Sequence, residues 1–139
     1  MFRKILLAVD GSDHSMIAAD YAAGMAKAFG ATVFLVHAYP HTSDLLGYED
    51  FERLVARRKS AGQAILNKVR KRLEPKDVTI LEDLLEGPEA EAILSAAETQ
   101  QVDLVVMGTR GLGAIEGMVF GSVSRKVTHH APCPVMLTR

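Results

Sequence analysis

Short apolar runs alternate with helical patterns along this chain. Ile5-Leu6-Leu7-Ala8-Val9, residues 32–38 and residues 103–107 are rich in β-branched side chains, and each is followed by turn-forming or helical sequence. Runs that are apolar on both sides of the backbone predict strands buried on both faces, as in a parallel sheet. Residues 78–83 alternate more and carry Glu82 and Asp83, which suits a peripheral strand. Residues 134–138 open with Pro134, which also favours a sheet edge.

Between these runs the apolar residues take a helical period. Ile17, Tyr21, Met25 and Ala28 recur at that spacing after the capping candidates Ser12 and Asp13. A long second helix carries Phe51, Leu54, Val55, Ile65, Val69 and Leu73 on one side, and Arg57-Arg58-Lys59 and the basic residues of 68–72 on the other. Gly87-Pro88 starts a third helix through Ile93, Leu94 and Ala97, and Val119, Val123 and Val127 mark a fourth that ends at Ala131-Pro132. The order βαβαβαβαβ predicts a doubly wound α/β sandwich with right-handed crossovers and helices on both faces. Residues 41–48 have no clear period and suit a mobile flap.

Composition narrows the function. The chain has 139 residues, 48% of them hydrophobic, so the expectation is one domain, 1–139, with one real core. Sixteen basic against 17 acidic residues give a net charge of −1, with no overall field for nucleic acid or an anionic membrane; any anion site must be local. The basic stretches of the second helix lack interleaved aromatics and read as a solvated face. Cys133 is the single cysteine, and the apolar stretch after Met1-Phe2-Arg3-Lys4 is too short for a signal peptide or a membrane span. A cytoplasmic protein is the expectation.

The chemistry concentrates after the fourth strand. Residues 108–124 hold five of the 11 glycines: Gly108, Gly111, Gly113, Gly117 and Gly121. Glycine permits close backbone approach, so successive N–H groups can converge on a phosphate. Gly121 leads into the fourth helix, whose free N–H groups and positive dipole end favour an anion, and Ser122 adds a hydroxyl. Arg110 is the one cation of the loop proper, with Arg125 a turn later, and Ser124 is a further candidate for nucleotide binding. Doubly wound sheets bind ligands beyond the carboxyl ends of their strands. Asp10, at the end of the first strand, then shares a crevice with Gly108, where a carboxylate can meet a ribose hydroxyl or a metal ion carried by phosphate. Gly108-x4-Gly113 has P-loop spacing but is followed by Ala114-Ile115 rather than Lys-Ser or Lys-Thr. The glycines fall after the fourth strand rather than the first, which argues against an NAD site.

At these residues the chain resembles the universal stress protein family, whose ATP-binding members carry Gly-x2-Gly-x9-Gly-Ser/Thr. Gly108, Gly111, Gly121 and Ser122 match that spacing, and Val9-Asp10-Gly11-Ser12, Val36-His37-Ala38 and Ala131-Pro132-Cys133-Pro134-Val135 extend the likeness over nearly the whole chain. The resemblance implies an adenine nucleotide alpha hydrolase-like fold, with five parallel strands in the order 3-2-1-4-5. It also implies a homodimer through the C-terminal strand, and ATP, ADP or AMP, with Mg2+, held without rapid turnover. Carried over by position, Asp10 lies near the ribose and the Ala38 backbone meets the adenine. Met107 and Gly108 line the sugar, and Gly111, Gly121, Ser122 and Val123 hold the phosphates. Ala38 stands where the family commonly carries a bulkier residue.

Catalytic readings find less support. His129-His130 and Cys133 resemble a ligand cluster, but adjacent helical residues point about 100° apart and no second cluster closes the site. Ser12-Asp13-His14 are consecutive and cannot form a linear relay, and Gly-x-Ser-x-Gly is absent. A receiver-type phosphoacceptor domain needs clustered acids after the first strand and an aspartate after the third, where this chain has Leu84-Leu85-Glu86-Gly87. The expectation is a nucleotide-responsive regulatory or stress-resistance module with an unidentified downstream protein partner. A slow ATP-hydrolysing or phosphotransfer enzyme of the same fold is the alternative.

Overall fold

A computed structural model describes residues 1–43, 47–110 and 121–139. In chain order the elements are β1 (Lys4–Ala8), α1 (Asp13–Phe29), β2 (Thr32–Tyr39), α2 (Tyr48–Leu73), β3 (Thr79–Glu86), α3 (Glu89–Thr99), β4 (Leu104–Gly108), α4 (Ser122–His130) and β5 (Val135–Thr138), with a 3-10 turn at Glu74–Lys76. The strands form one five-stranded sheet in the order β3-β2-β1-β4-β5, every neighbouring pair parallel. β3 and β5 are its edges, as their acids and proline predicted. Val119 and part of the 41–48 segment lie outside the described residues.

Alternation along the central strands divides the core between two faces. Ile5, Leu7, Val33, Leu35 and Val106 pack with Leu66, Val69 and Leu73 of α2 and with the alanines of α1. On the other face Leu6, Ala8, Phe34, Val36, Val105 and Met107 pack with Ala90, Ile93 and Ala97 of α3 and with Val127 of α4.

The stripe that marked α1 in the sequence is not the face it buries. Ala18, Ala19, Ala22, Ala23 and Ala26 lie against the sheet, while Tyr21 is 55% exposed and Ala28 faces solvent. Alanine has no side chain beyond Cβ, so a helix with an alanine face can approach a flat sheet more closely than the larger residues would allow. Ser12 caps α1 by accepting a hydrogen bond from the Ser15 N–H at 3.2 Å.

Candidate functional site

The chain runs outward from β1 to β2 and β3, then crosses back to β4 and β5 on the other side. Neighbouring connections therefore part at the carboxyl ends of β1 and β4, which is where doubly wound sheets open a ligand crevice. A cleft of about 690 Å³ lies there, lined from β1, β2 and β4 and from α2, α3 and α4.

One end of the cleft is the start of α4. Thr109 continues past β4, its N–H donating to Thr138 C=O at 2.8 Å, and the Gly121 N–H donates to Thr109 C=O at 2.7 Å. The first intrahelical bond runs from Arg125 N–H to Gly121 C=O, so the N–H groups of Ser122, Val123 and Ser124 have no acceptor within the helix. No acidic residue stands in that first turn to compete for them. Two glycines here serve different needs. A Cβ on Gly108 would stand 2.7 Å from His14 Cβ and 3.1 Å from the His14 carbonyl carbon, so Gly108 lets α1 start hard against β4. A Cβ on Gly121 would meet nothing nearer than 3.5 Å, and its φ of −78° suits any residue. The fold does not demand a glycine at 121.

Asp10 follows β1 at the middle of the cleft. Its Oδ1 accepts from the Ser12 N–H at 2.9 Å, which orients the carboxylate beside the capped start of α1. Among the described residues no group of three His, Cys, Asp or Glu side chains is arranged to hold a metal ion.

The other end is walled by His37, Ala38, Tyr39 and Pro40 with Arg58, Gly62 and Ile65 of α2 and Glu89 and Ile93 of α3. His37 is buried, and its Nδ1 lies 2.7 Å from Val9 C=O. Because a carbonyl oxygen only accepts, Nδ1 carries the hydrogen. Gly62 makes room for that ring: a Cβ there would stand 3.0 Å from His37 Cδ2 and 2.7 Å from Leu84 Cδ1. Arg58 donates to His41 C=O and to Thr42 Oγ1, both at 2.9 Å, and fastens the connection that leaves β2. Desolvation first, and the charge of Asp10 second, push the Glu89 carboxyl above its usual range, while His37 acts the other way. The residue is exposed at the mouth even as its carboxyl leans into the cleft.

Of the residues singled out from the sequence, Asp10, Ala38, Met107, Gly108, Arg110, Gly121, Ser122, Val123 and Ser124 line this one cleft. Gly111 and Gly113 lie outside the described residues. Ser124 is buried and its hydroxyl is turned inward, donating to Thr109 C=O at 2.8 Å with Gly121 C=O at 3.1 Å, so only its backbone N–H remains for a ligand. Arg58 is half-buried rather than part of a solvated face. Sequence reading assigned no site role to His37, Gly62 or Glu89 and placed Arg58 on the solvated face of the second helix. An isolated glycine within a helical pattern is a signal for close packing, and Gly62 carried it; nothing in the sequence marks Glu89.

Fold and cleft together define a doubly wound α/β protein with a cleft at the strand-order reversal. The model of the Universal stress protein family matches residues 1–139, and the chain belongs to that family. The "Universal stress protein in QAH/OAS sulfhydrylase 3'region" of Thermus aquaticus is 48% identical over the whole of both chains. A universal stress protein of Methanocaldococcus jannaschii is 36% identical, over all of this chain and 83% of its own length. Among solved structures, the universal stress protein UspA from Lactobacillus plantarum has the same fold, with a TM-score of 0.89 at 20% identity over 99% of this chain and 98% of that one. A universal stress protein solved in complex with cAMP has a TM-score of 0.77 at 28% identity, covering 99% and 97%.

Proposed function

We propose that the cleft binds an adenine nucleotide, ATP above all, and that the chain works in the cytoplasm as a nucleotide-responsive regulatory or stress-resistance module rather than as a turnover enzyme. One observation carries the reading: the open first turn of α4, with a sterically dispensable glycine at its N-cap, faces the cleft at the strand-order reversal. A volume of about 690 Å³ is within the range that small-molecule sites use. The complex of a 28% identical family member with cAMP supports adenine nucleotides as the ligand class.

In this reading the N–H groups of Ser122 and Val123, the Ser122 hydroxyl and the guanidinium of Arg110 bind phosphate oxygens. Asp10 accepts from ribose hydroxyls, and the β2 end at Ala38 receives the base. Gly111 and Gly113 belong to the same phosphate loop. Mg2+, if it enters with the phosphates, neutralises their charge, and Asp10 then offers it a carboxylate. In this reading Asp10 serves the ribose and the Ser124 hydroxyl is turned inward to Thr109, so neither is assigned the part of a general base. The proposal therefore includes retention of ATP with slow hydrolysis at most.

Isolation without added nucleotide, mass spectrometry of whatever is released, and calorimetric titration test it together. ATP and ADP should bind well ahead of NAD and FMN. Tighter binding of NAD removes the reading, and sustained ATP turnover at about 1 per second or faster favours the enzyme alternative.

A further inference from the structure

Glu89 is the first residue of α3, directly after the cis Gly87–Pro88 bond. The chain there is tied to the end of β2, since the Gly87 N–H donates to Tyr39 C=O at 2.7 Å. Ile93, one turn further along α3, shares the face of Glu89, and both residues line the cleft. Ile93 continues into the core, whereas the Glu89 carboxyl makes no hydrogen bond among the described residues. It stands within electrostatic reach of Asp10 on the β1 side and His37 on β2. Among the described residues, the other ionisable groups that line the cleft are Tyr39 from β2, Arg58 from α2 and Arg110 from the segment after β4.

Which part of a ligand meets this group follows from the strand order, given the nucleotide reading above, on which the inference rests. Phosphates at the start of α4 lie on the β4 side, and β1 separates β4 from β2. Strands are spaced about 4.8 Å apart, so the β2 end is about 10 Å from the phosphates, the span of a ribose and the start of a base. The base therefore arrives beside Glu89.

We propose that Glu89 is a specificity-determining residue of the cleft, its carboxyl group accepting a hydrogen bond from the exocyclic amino group of an aminopurine such as adenine. An ionised carboxylate only accepts, so a base with an amino N–H at that edge is taken and one without it leaves the carboxylate desolvated and unmatched. Its partial desolvation before any ligand arrives makes the missing donor more costly still.

The test is a cycle of two ligands and two proteins: ATP and purine riboside 5′-triphosphate, in which hydrogen replaces the amino group, against the wild type and Glu89→Ala. The wild type should prefer ATP by about 10-fold to 100-fold, the range for a hydrogen bond to a charged group. Glu89→Ala should lose most of that preference, and Glu89→Gln, whose amide oxygen still accepts, should keep part of it. Thermal melts of the ligand-free variants report folding separately. Equal binding of the two ligands by the wild type, or the same preference in Glu89→Ala, overturns the role of Glu89 and leaves the nucleotide reading intact. A wild-type protein that binds neither triphosphate overturns both.

Discussion

Ser122 and Ser124 lie two residues apart in one turn of α4 and have opposite surroundings. Ser122 is exposed toward the cleft, whereas the Ser124 hydroxyl is buried against Thr109 C=O. Ser122→Ala should therefore weaken ATP binding by about 10-fold to 100-fold through loss of a donor to charged oxygen, with the ligand-free melting temperature little changed. Ser124→Ala removes the hydroxyl's bond to Thr109 C=O, which keeps the Gly121 N–H, and should lower folding stability by about 0.5 to 1.5 kcal/mol, read from urea denaturation. Gly121→Asp should weaken ATP more than Ser122→Ala does, because its backbone and the room at its Cβ tolerate a side chain while the added charge opposes phosphate. Fluorescence titration with an ATP analogue beside thermal melts checks all three; full affinity in a folded Gly121→Asp would mean the phosphate site is elsewhere. The sequence alone could not separate the two serines. Which one turns inward depends on the phase of α4 against Thr109, and Thr109 arrives from another element.

At the scale of elements, the packing of α1 against β4 and the clip between β1 and β4 hold the cleft's floor. Gly108→Ala forces a Cβ to 2.7 Å from His14, partly against backbone, so the start of α1 must shift. A loss of about 1 to 3 kcal/mol is expected, against almost none for Gly121→Ala, and a comparison of their melting curves decides between them. The clip is Asp103, whose Oδ2 accepts from the N–H groups of Arg3 at 2.7 Å and Lys4 at 2.9 Å. These bonds, Lys4 first and Arg3 second, hold its carboxyl below its ordinary value of 3.8. Because the folded value lies below the unfolded one, the contribution is complete above 3.8 and is lost as the pH falls through the folded value. Wild type should be more stable than Asp103→Asn near neutral pH by less than about 1 kcal/mol, since the group is partly solvated. That gap should close below the ordinary value, and a pH-independent gap would remove the electrostatic account. Element types and order were legible from period and turn residues. The buried face of α1 was not, because hydrophobic size marks a stripe while the sheet selects for closeness.

For the whole molecule the open question is its edges. β3 carries Glu82, Asp83 and Glu86, with Arg70 paired to Glu82, and charges of this kind guard an edge against further strands. β5 is short and its Val135, Met136 and Leu137 are apolar and only half-buried. We therefore expect a homodimer through β5, related by a two-fold axis. Sedimentation at micromolar concentration should give twice the 15.1 kDa chain mass, and Met136→Lys should shift it to monomer, with thermal melts reporting separately on the core contacts Met136 also makes. A wild-type monomer at that concentration argues against the interface.

Local pattern determined the α/β class, the parallel sheet and its edge strands, and it marked the glycine-rich segment after β4 as the candidate phosphate end. Each is a property of spacing within a few residues, and the family motif confines the rest of the chain to one known arrangement. Tertiary structure alone decided what a pattern cannot carry. Gly108 is required by His14, 94 positions away in the chain, and Gly62 by His37 and Leu84 from two different strands. Arg58 left the solvated face of α2 because the chain leaving β2 offers carbonyls and a hydroxyl at its reach. Glu89 came to the mouth of the cleft because Gly87 is tied to the end of β2. These roles depend on which elements meet, and only the closed sheet brings those partners within hydrogen-bond distance.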